Sequence, residues 1–239
     1  MLKFDHVRLD RLLPFQIRER IAANPTVFIP LGTIEWHSEH LPVGLDALTA
    51  EGLCLRVADK FGGLVYPVLH YGTGGGHGSY PWTVMMQKPD ELEAILRFTL
   101  TRLNDFGVEN VLLFSGHFPD QQLDMIDRLA AEWNMDDVKM HVVSSAVNRI
   151  PGLEFAPDHA GLFETTLLYG LHPELVREEK LPVKQTGETE ADSYGVQRHE
   201  PDHPLWGIFG PDPRGFDKAK AKPLVEQIVA HLAALIDQK

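Results

Sequence analysis

Four short, β-branched runs bounded by turn residues alternate with stretches of helical period, and this alternation most narrows the folds open to the chain. The runs are "TVFIPLG" (26–32), "LVYPVLH" (64–70), "NVLLFSG" (110–116) and "KMHVVSS" (139–145), which read as buried strands. Helical patterns lie between them: "LDALTAEGLCLRVADKFG" (45–62), "KPDELEAILRFTLTRLNDFG" (88–107) and "PDQQLDMIDRLAAEWN" (119–134). "GLFETTLLYGL" (161–171) follows the fourth run, and a last helix is expected near 217–237. The first two patterns end on glycine, a frequent helix stop. Strand–helix–strand repetition implies parallel strands, right-handed crossovers and helices on both faces. The expected class is therefore α/β: a three-layer α/β/α sandwich with a mostly parallel central sheet, residues 1–239 forming one domain. Ligands of such sheets gather at the carboxyl ends of the strands.

Composition excludes some functions. A formal net charge of −12 argues against a nucleic-acid or anionic-membrane surface, since both need clustered Lys and Arg. No apolar segment approaches the roughly 20 residues that span a bilayer. "MLKFDHVRLDRLLPF" lacks the apolar stretch of a signal peptide. Cys54 is the only cysteine, so neither an internal disulfide nor a cysteine metal site is expected, and a reducing cytoplasm fits. The expected partner is a small-molecule substrate. Residues 180–215, rich in Pro, Gly and acids, break the alternation; Trp206, Ile208 and Phe209 favour a packed functional loop, with "ETEAD" (188–192) a solvated stretch.

Chemistry concentrates where strands end. In "IPLGTIEWHSEHLPVGLDAL" (29–48), Glu35 and His37 lie two residues apart past the first run, so an extended backbone aims both at one site and turns Trp36 away. Asp46 opens the next helix, either as its N-cap or as a third member of the set. "LLFSGHFPDQQ" places His117 at the end of the third strand, on the same sheet edge. Two carboxylates and two imidazoles on one rim suit a divalent Zn, Mn or Fe ion, and a bridging carboxylate suits two. "PDHAGLFETT" adds Asp158, His159 and Glu164, the acid–base group that activating a water requires.

Taken together, "PLGTIEWHSEHLPVGLDALTAE", "YGTGGGHGSYPWT", "VLLFSGHFPD", "DHAGLFETT" and "GIFGPDP" resemble, in order, the motifs of the creatininase (creatinine amidohydrolase) family. The first matches the pattern P-x-G-[ST]-x-E-x-H-G-x-H-L-P-x-x-x-D. The resemblance implies a dinuclear metal centre on Glu35, His37, Asp46 and His117, with Asp46 bridging. It implies His159, beside Asp158, as proton shuttle, and a homo-oligomer, often a hexamer. Glu164 matches the Glu of H-A-G-x-x-E-T and joins the metal donors, or else orients a bound ligand. The implied activity is hydrolysis of the C–N bond of a small cyclic amide or formamide. The alternatives are opening of a cyclic ketone such as a keto-inositol, or a metal centre that only stabilises the fold.

Departures bear on the substrate. Some family members carry Glu two residues after the third-strand His, where this chain has Pro119, its first acid being Asp120. Ser38 and Glu39 replace the usual Gly-Pro, and Trp36 a common Gln, which argues against creatinine. His77, Trp82 and Asp120 are the candidate substrate contacts. "GTGGGHGS" (72–79) lacks the Gly-Lys-[Ser/Thr] ending of a phosphate loop and reads as a pocket wall. His40 either orients a ligand residue or braces its loop, Glu39 is a solvated charge or a substrate contact, and Cys54 is core. His199 and His203 read as surface.

Overall fold

A computed structural model describes residues 3–135, 138–184 and 194–237. Strands β1 (Thr26–Leu31), β2 (Leu64–Val65), β3 (Asn110–Ser115) and β4 (His141–Ala146) form one parallel sheet in the order β2-β1-β3-β4. Helices α1 (Pro14–Ala23), α2 (Leu45–Phe61), α3 (Asp90–Asp105), α4 (Asp120–Met135), α5 (Leu162–Leu171) and α6 (Lys218–Asp237) cover it.

Alternation along the strands sets the layers. Val27, Ile29 and Leu31 of β1 and Val111 and Leu113 of β3 pack with Leu96 and Leu100 of α3 and Ile126 and Leu129 of α4. The intervening Phe28, Leu112 and Phe114 face Leu53 and Val57 of α2, Phe163 and Leu167 of α5 and Ile228 and Leu232 of α6. Both faces are dry, so β1 is buried throughout its length. This is the expected three-layer α/β/α arrangement. Among the described residues no helix is long and apolar enough to cross a membrane.

Two expectations change. The second run forms only the Leu64–Val65 pair: Tyr66 N–H still donates to the Phe28 carbonyl, but the next β1 residue facing that side, Pro30, has no N–H to give back, and Leu69 later bridges Leu31 as an isolated pair. Helix α1 was not foreseen. It fully buries none of its residues and so carries little periodic signal. The described part of 180–215 packs as a loop with short 3-10 turns at Val196–His199 and Pro213–Gly215. Its buried Arg198 donates to the Ile208 and Gly210 carbonyls, while Leu205 and Ile208 join Leu41, Leu45 and Leu168 in a small apolar cluster. "ETEAD" (188–192) lies outside the described residues.

Strand order creates a switch point between β1 and β3, which end level, Leu31 opposite Ser115. Just beyond these ends Gly32 and Gly116 admit the first turn of α2. A Cβ on Gly32 would sit 2.2 Å from Ala47 N, and one on Gly116 2.0 Å from the Asp46 carbonyl oxygen. Past β1 the chain turns at Ser38, whose φ of 60° is left-handed, so the position favours glycine.

Gly116→Ala is expected to cost about 3 kcal/mol, the upper range for overpacking a close contact, read from the urea midpoint. Ser38→Gly should stabilise by about 0.5–1 kcal/mol by relieving the left-handed turn; an unchanged or lower midpoint would count against strain there.

Candidate metal centre

Four elements deliver the site. Glu35 and His37 follow β1, Asp46 lies in the first turn of α2, His117 follows β3, and Glu164 lies in the first turn of α5. All are buried. Asp46 is not the N-cap of α2; Gly44 holds that position, which leaves the carboxylate for the site and under the positive end of the helix.

The donor atoms converge. His37 Nε2 lies 3.1 Å from Asp46 Oδ1 and 3.6 Å from Glu164 Oε2. His117 Nδ1 lies 3.0 Å from Glu35 Oε2 and 3.1 Å from Asp46 Oδ2. Yet His37 Nε2 and Asp46 Oδ2, both buried, have no aligned hydrogen-bond partner among the described residues. Lone pairs aimed at a shared point rather than at one another fit a cation, and carboxylates with imidazoles are a first-row divalent donor set. His37 Nδ1 donates to the Glu35 carbonyl at 3.0 Å, which leaves Nε2 for that point. Three groups of donors lie close enough to share an ion: Glu35, Asp46 and His117; His37, Asp46 and Glu164; and Glu35, His37 and His159. Asp46 belongs to two of them.

Electrostatics couple these groups. Burial favours neutral imidazole, but the Asp46 and Glu164 carboxylates raise His37 to about 10, and Asp46 and Glu35 raise His117 to about 10. Burial also favours neutral Glu35, yet the imidazoles around it, with His117 and His77 hydrogen-bonded to the carboxylate, hold it well below the usual carboxylate range. Burial lifts Glu164 well above that range despite His37.

His159 Nε2 donates to the Trp36 carbonyl at 2.9 Å, so Nδ1 keeps its lone pair. Burial, then His37, holds the ring neutral, well below the ordinary imidazole value. Asp158 is occupied differently: its carboxylate accepts the N–H groups of Gly161 (3.2 Å), Phe163 (2.8 Å) and Glu164 (3.2 Å), and so caps α5. Burial, against those three donors, lifts it to about 7. Ala160 N donates to Glu164 Oε2 at 2.6 Å. His40 is buried with Nε2 3.0 Å from Thr165 Oγ1, which ties the β1 loop to α5; burial, then His37, takes it down to about 3.

A cavity of about 270 Å³ opens on Glu35, Asp46, His117, His159 and Glu164, with Gly75, His77, Phe118 and Pro119 opposite. Of the candidate substrate contacts only His77 lines it. Trp82 is 78% exposed, and Asp120 starts α4 facing solvent. The aromatic wall above was not foreseen as a unit. Trp36 packs on Trp206 (5.0 Å) and Tyr80 on Trp206 (5.5 Å), and the Tyr80 hydroxyl shares a 2.8 Å hydrogen bond with His199 Nδ1. The runs "SYPW" and "LWGIF" carry its signal, but nothing local says that they meet. His199 is exposed, as expected, but held; Cys54 is fully buried core.

Comparison with known proteins gives the family and the fold. The family model Creatininase: Creatinine amidohydrolase matches residues 12–236. A creatinine amidohydrolase of Pseudomonas putida is 27% identical over 179 residues, 66% of this chain and 68% of that one. A mycofactocin precursor peptide peptidase of Mycolicibacterium smegmatis is 35% identical over 66 residues, 25% of this chain and 27% of its own length. A crystal structure of creatinine amidohydrolase (creatininase) shares the fold, with TM-score 0.75 at 24% identity over 97% of both chains. Related structures include a manganese creatininase and a mutant of Zn–Zn type, each with TM-score 0.75 and 23% identity. With a match spanning nearly its whole length, the chain belongs to the creatininase family.

Proposed function

We propose that the protein is a divalent-metal-dependent amidohydrolase that cleaves the C–N bond of a small amide. The observation that carries this reading is Asp46, shared by two groups of buried donors. One ion would be held by Glu35, Asp46 and His117, the second by His37, Asp46 and Glu164, with Asp46 between them. Glu164 then supplies the acid that Pro119 does not. Zn, Mn and Fe all suit these ligands, and related structures are described as manganese and Zn–Zn forms.

When bound, such ions supply a water of lowered pKa and positive charge for the substrate carbonyl oxygen. The chain's own residues do the rest. His159, neutral and fixed by the Trp36 carbonyl, accepts a proton at Nδ1 and returns it to the leaving nitrogen. Asp158 holds the first turn of α5, and with it His159 and Glu164, in place. The cavity of about 270 Å³ limits what enters to a small group. An amide is the chemistry shared by a creatinine amidohydrolase and a peptide peptidase. A purely stabilising metal is not favoured, since it does not explain an imidazole held beside the donors with one nitrogen free, and ketone opening is not favoured, since the similar proteins are named for amide cleavage. The reading also takes the chain as one cytoplasmic domain that assembles as a homo-oligomer, a hexamer by family likeness.

His37→Ala should abolish amide hydrolysis and lower bound metal with the circular dichroism unchanged. His159→Ala should cut kcat by about 10²- to 10⁴-fold at full metal content. A screen of lactams and formamides with elemental analysis supplies both readouts, and a metal-depleted His37→Ala protein with full turnover would falsify the reading.

Without metal, protons must balance the buried carboxylates. His37 and His117 stand at about 10 when folded against 6.5 ordinarily, so their contribution to stability is whole below about pH 6.5 and lost as pH rises toward 10. Chelator-treated protein should therefore melt at a lower temperature at pH 9.5 than at pH 6.5, and Asp46→Asn should flatten that slope.

A further inference from the structure

We infer that His77 is a positioning residue that holds Glu35 in its donor geometry, rather than a contact for the substrate; this rests on the metal centre proposed above. His77 Nδ1 lies 2.6 Å from Glu35 Oε1. The other oxygen, Oε2, faces His117 Nδ1 at 3.0 Å. The carboxylate therefore divides its work, one oxygen toward the converging donors and one toward His77. A carboxylate oxygen 2.6 Å away accepts, so the His77 proton sits on Nδ1. Among the described residues His77 belongs to none of the groups whose atoms lie close enough to share an ion. It touches a donor without being one, the usual place of a group that orients a metal-binding carboxylate.

The chain is built to present it. Gly74 and Gly75 have φ of 79° and 91°, and a Cβ on Gly72 would come within 2.9 Å of His117 Cδ2, so only a glycine loop runs this close to the site. Thr73 pins one end, its N–H donating to Gln122 Oε1 at 3.1 Å and its hydroxyl to the Met86 carbonyl at 3.0 Å. Tyr80 N donates to the His77 carbonyl at 3.0 Å on the other side. The ring packs against His159, 4.0 Å away, and lies parallel within 7° to Phe209 at 5.1 Å, the two neighbours being 6.1 Å from each other. These two neighbours fix the imidazole plane, and with it the direction of the N–H.

The test uses the full chain loaded with Zn²⁺ or Mn²⁺ alone, with affinity read by chelator competition and kcat separated from KM. His77→Phe keeps a stacked ring and loses the donor; His77→Asn keeps an N–H near the Nδ1 position and loses the ring. His77→Phe should bind one of the two ions about 10- to 100-fold more weakly, and His77→Asn should recover most of that loss. Wild-type affinity in His77→Phe with only KM raised would overturn the inference and return His77 to the substrate. Equal losses in both variants would also overturn it, because the donor would not be the cause. If the unaltered protein takes up neither ion, the metal reading itself fails, and this inference with it.

Discussion

The site depends on how closely the first turn of α2 approaches the ends of β1 and β3. That approach is set by two residues without side chains. At Gly116 even a methyl group would overlap the Asp46 carbonyl, and at Gly32 it would overlap the backbone of Ala47. With the helix seated there, Asp46 falls between residues that leave β1 and the one that leaves β3. The strand order makes the crevice; the glycines let a helix end close it with a carboxylate.

What this closeness brings together is costly in a folded protein. Carboxylates and imidazoles with almost no exposure lose most of their hydration, and their mutual attraction offsets that loss only in part. The cluster is therefore poor material for stability, and His37 Nε2 and Asp46 Oδ2 find no aligned hydrogen-bond partner among the described residues. Divalent cations would satisfy such lone pairs. The same crowding sets the proton positions: His37 and His159 each give one ring nitrogen to a backbone carbonyl, at Glu35 and Trp36, which frees the other nitrogen for chemistry.

Much of this was legible in the sequence because the relevant signals are local. Parallel strands covered on both faces must be largely apolar, so β1 and β3 stood out, and β4 did so through its β-branched Val142 and Val143. The two-residue spacing of Glu35 and His37 implied a shared direction, and His117 at the end of another strand implied a shared rim. Other features were not local. Helix α1 lies on the surface and leaves no buried stripe. Strand β2 stops short because Pro30, on the neighbouring β1, has no N–H to give it. Asp158 reads in the sequence as part of the acid–base group beside His159, and its partners are N–H groups at the start of the helix that follows it. Whether Trp82 points into the site or, as it does, into solvent depends on the left-handed turn at that residue, which its neighbours in sequence do not reveal.

The segment that carries Phe209 is joined to His159 by a two-way pair of backbone hydrogen bonds, each 2.8 Å long. The same segment reaches the glycine-rich loop through His199 and Tyr80. Tailoring this enzyme for a new molecule is thus unlike swapping a detachable visor. Any graft that lengthens or redirects the 195–210 stretch pulls on the imidazole beneath it, so recognition and reactivity must be redesigned in one step.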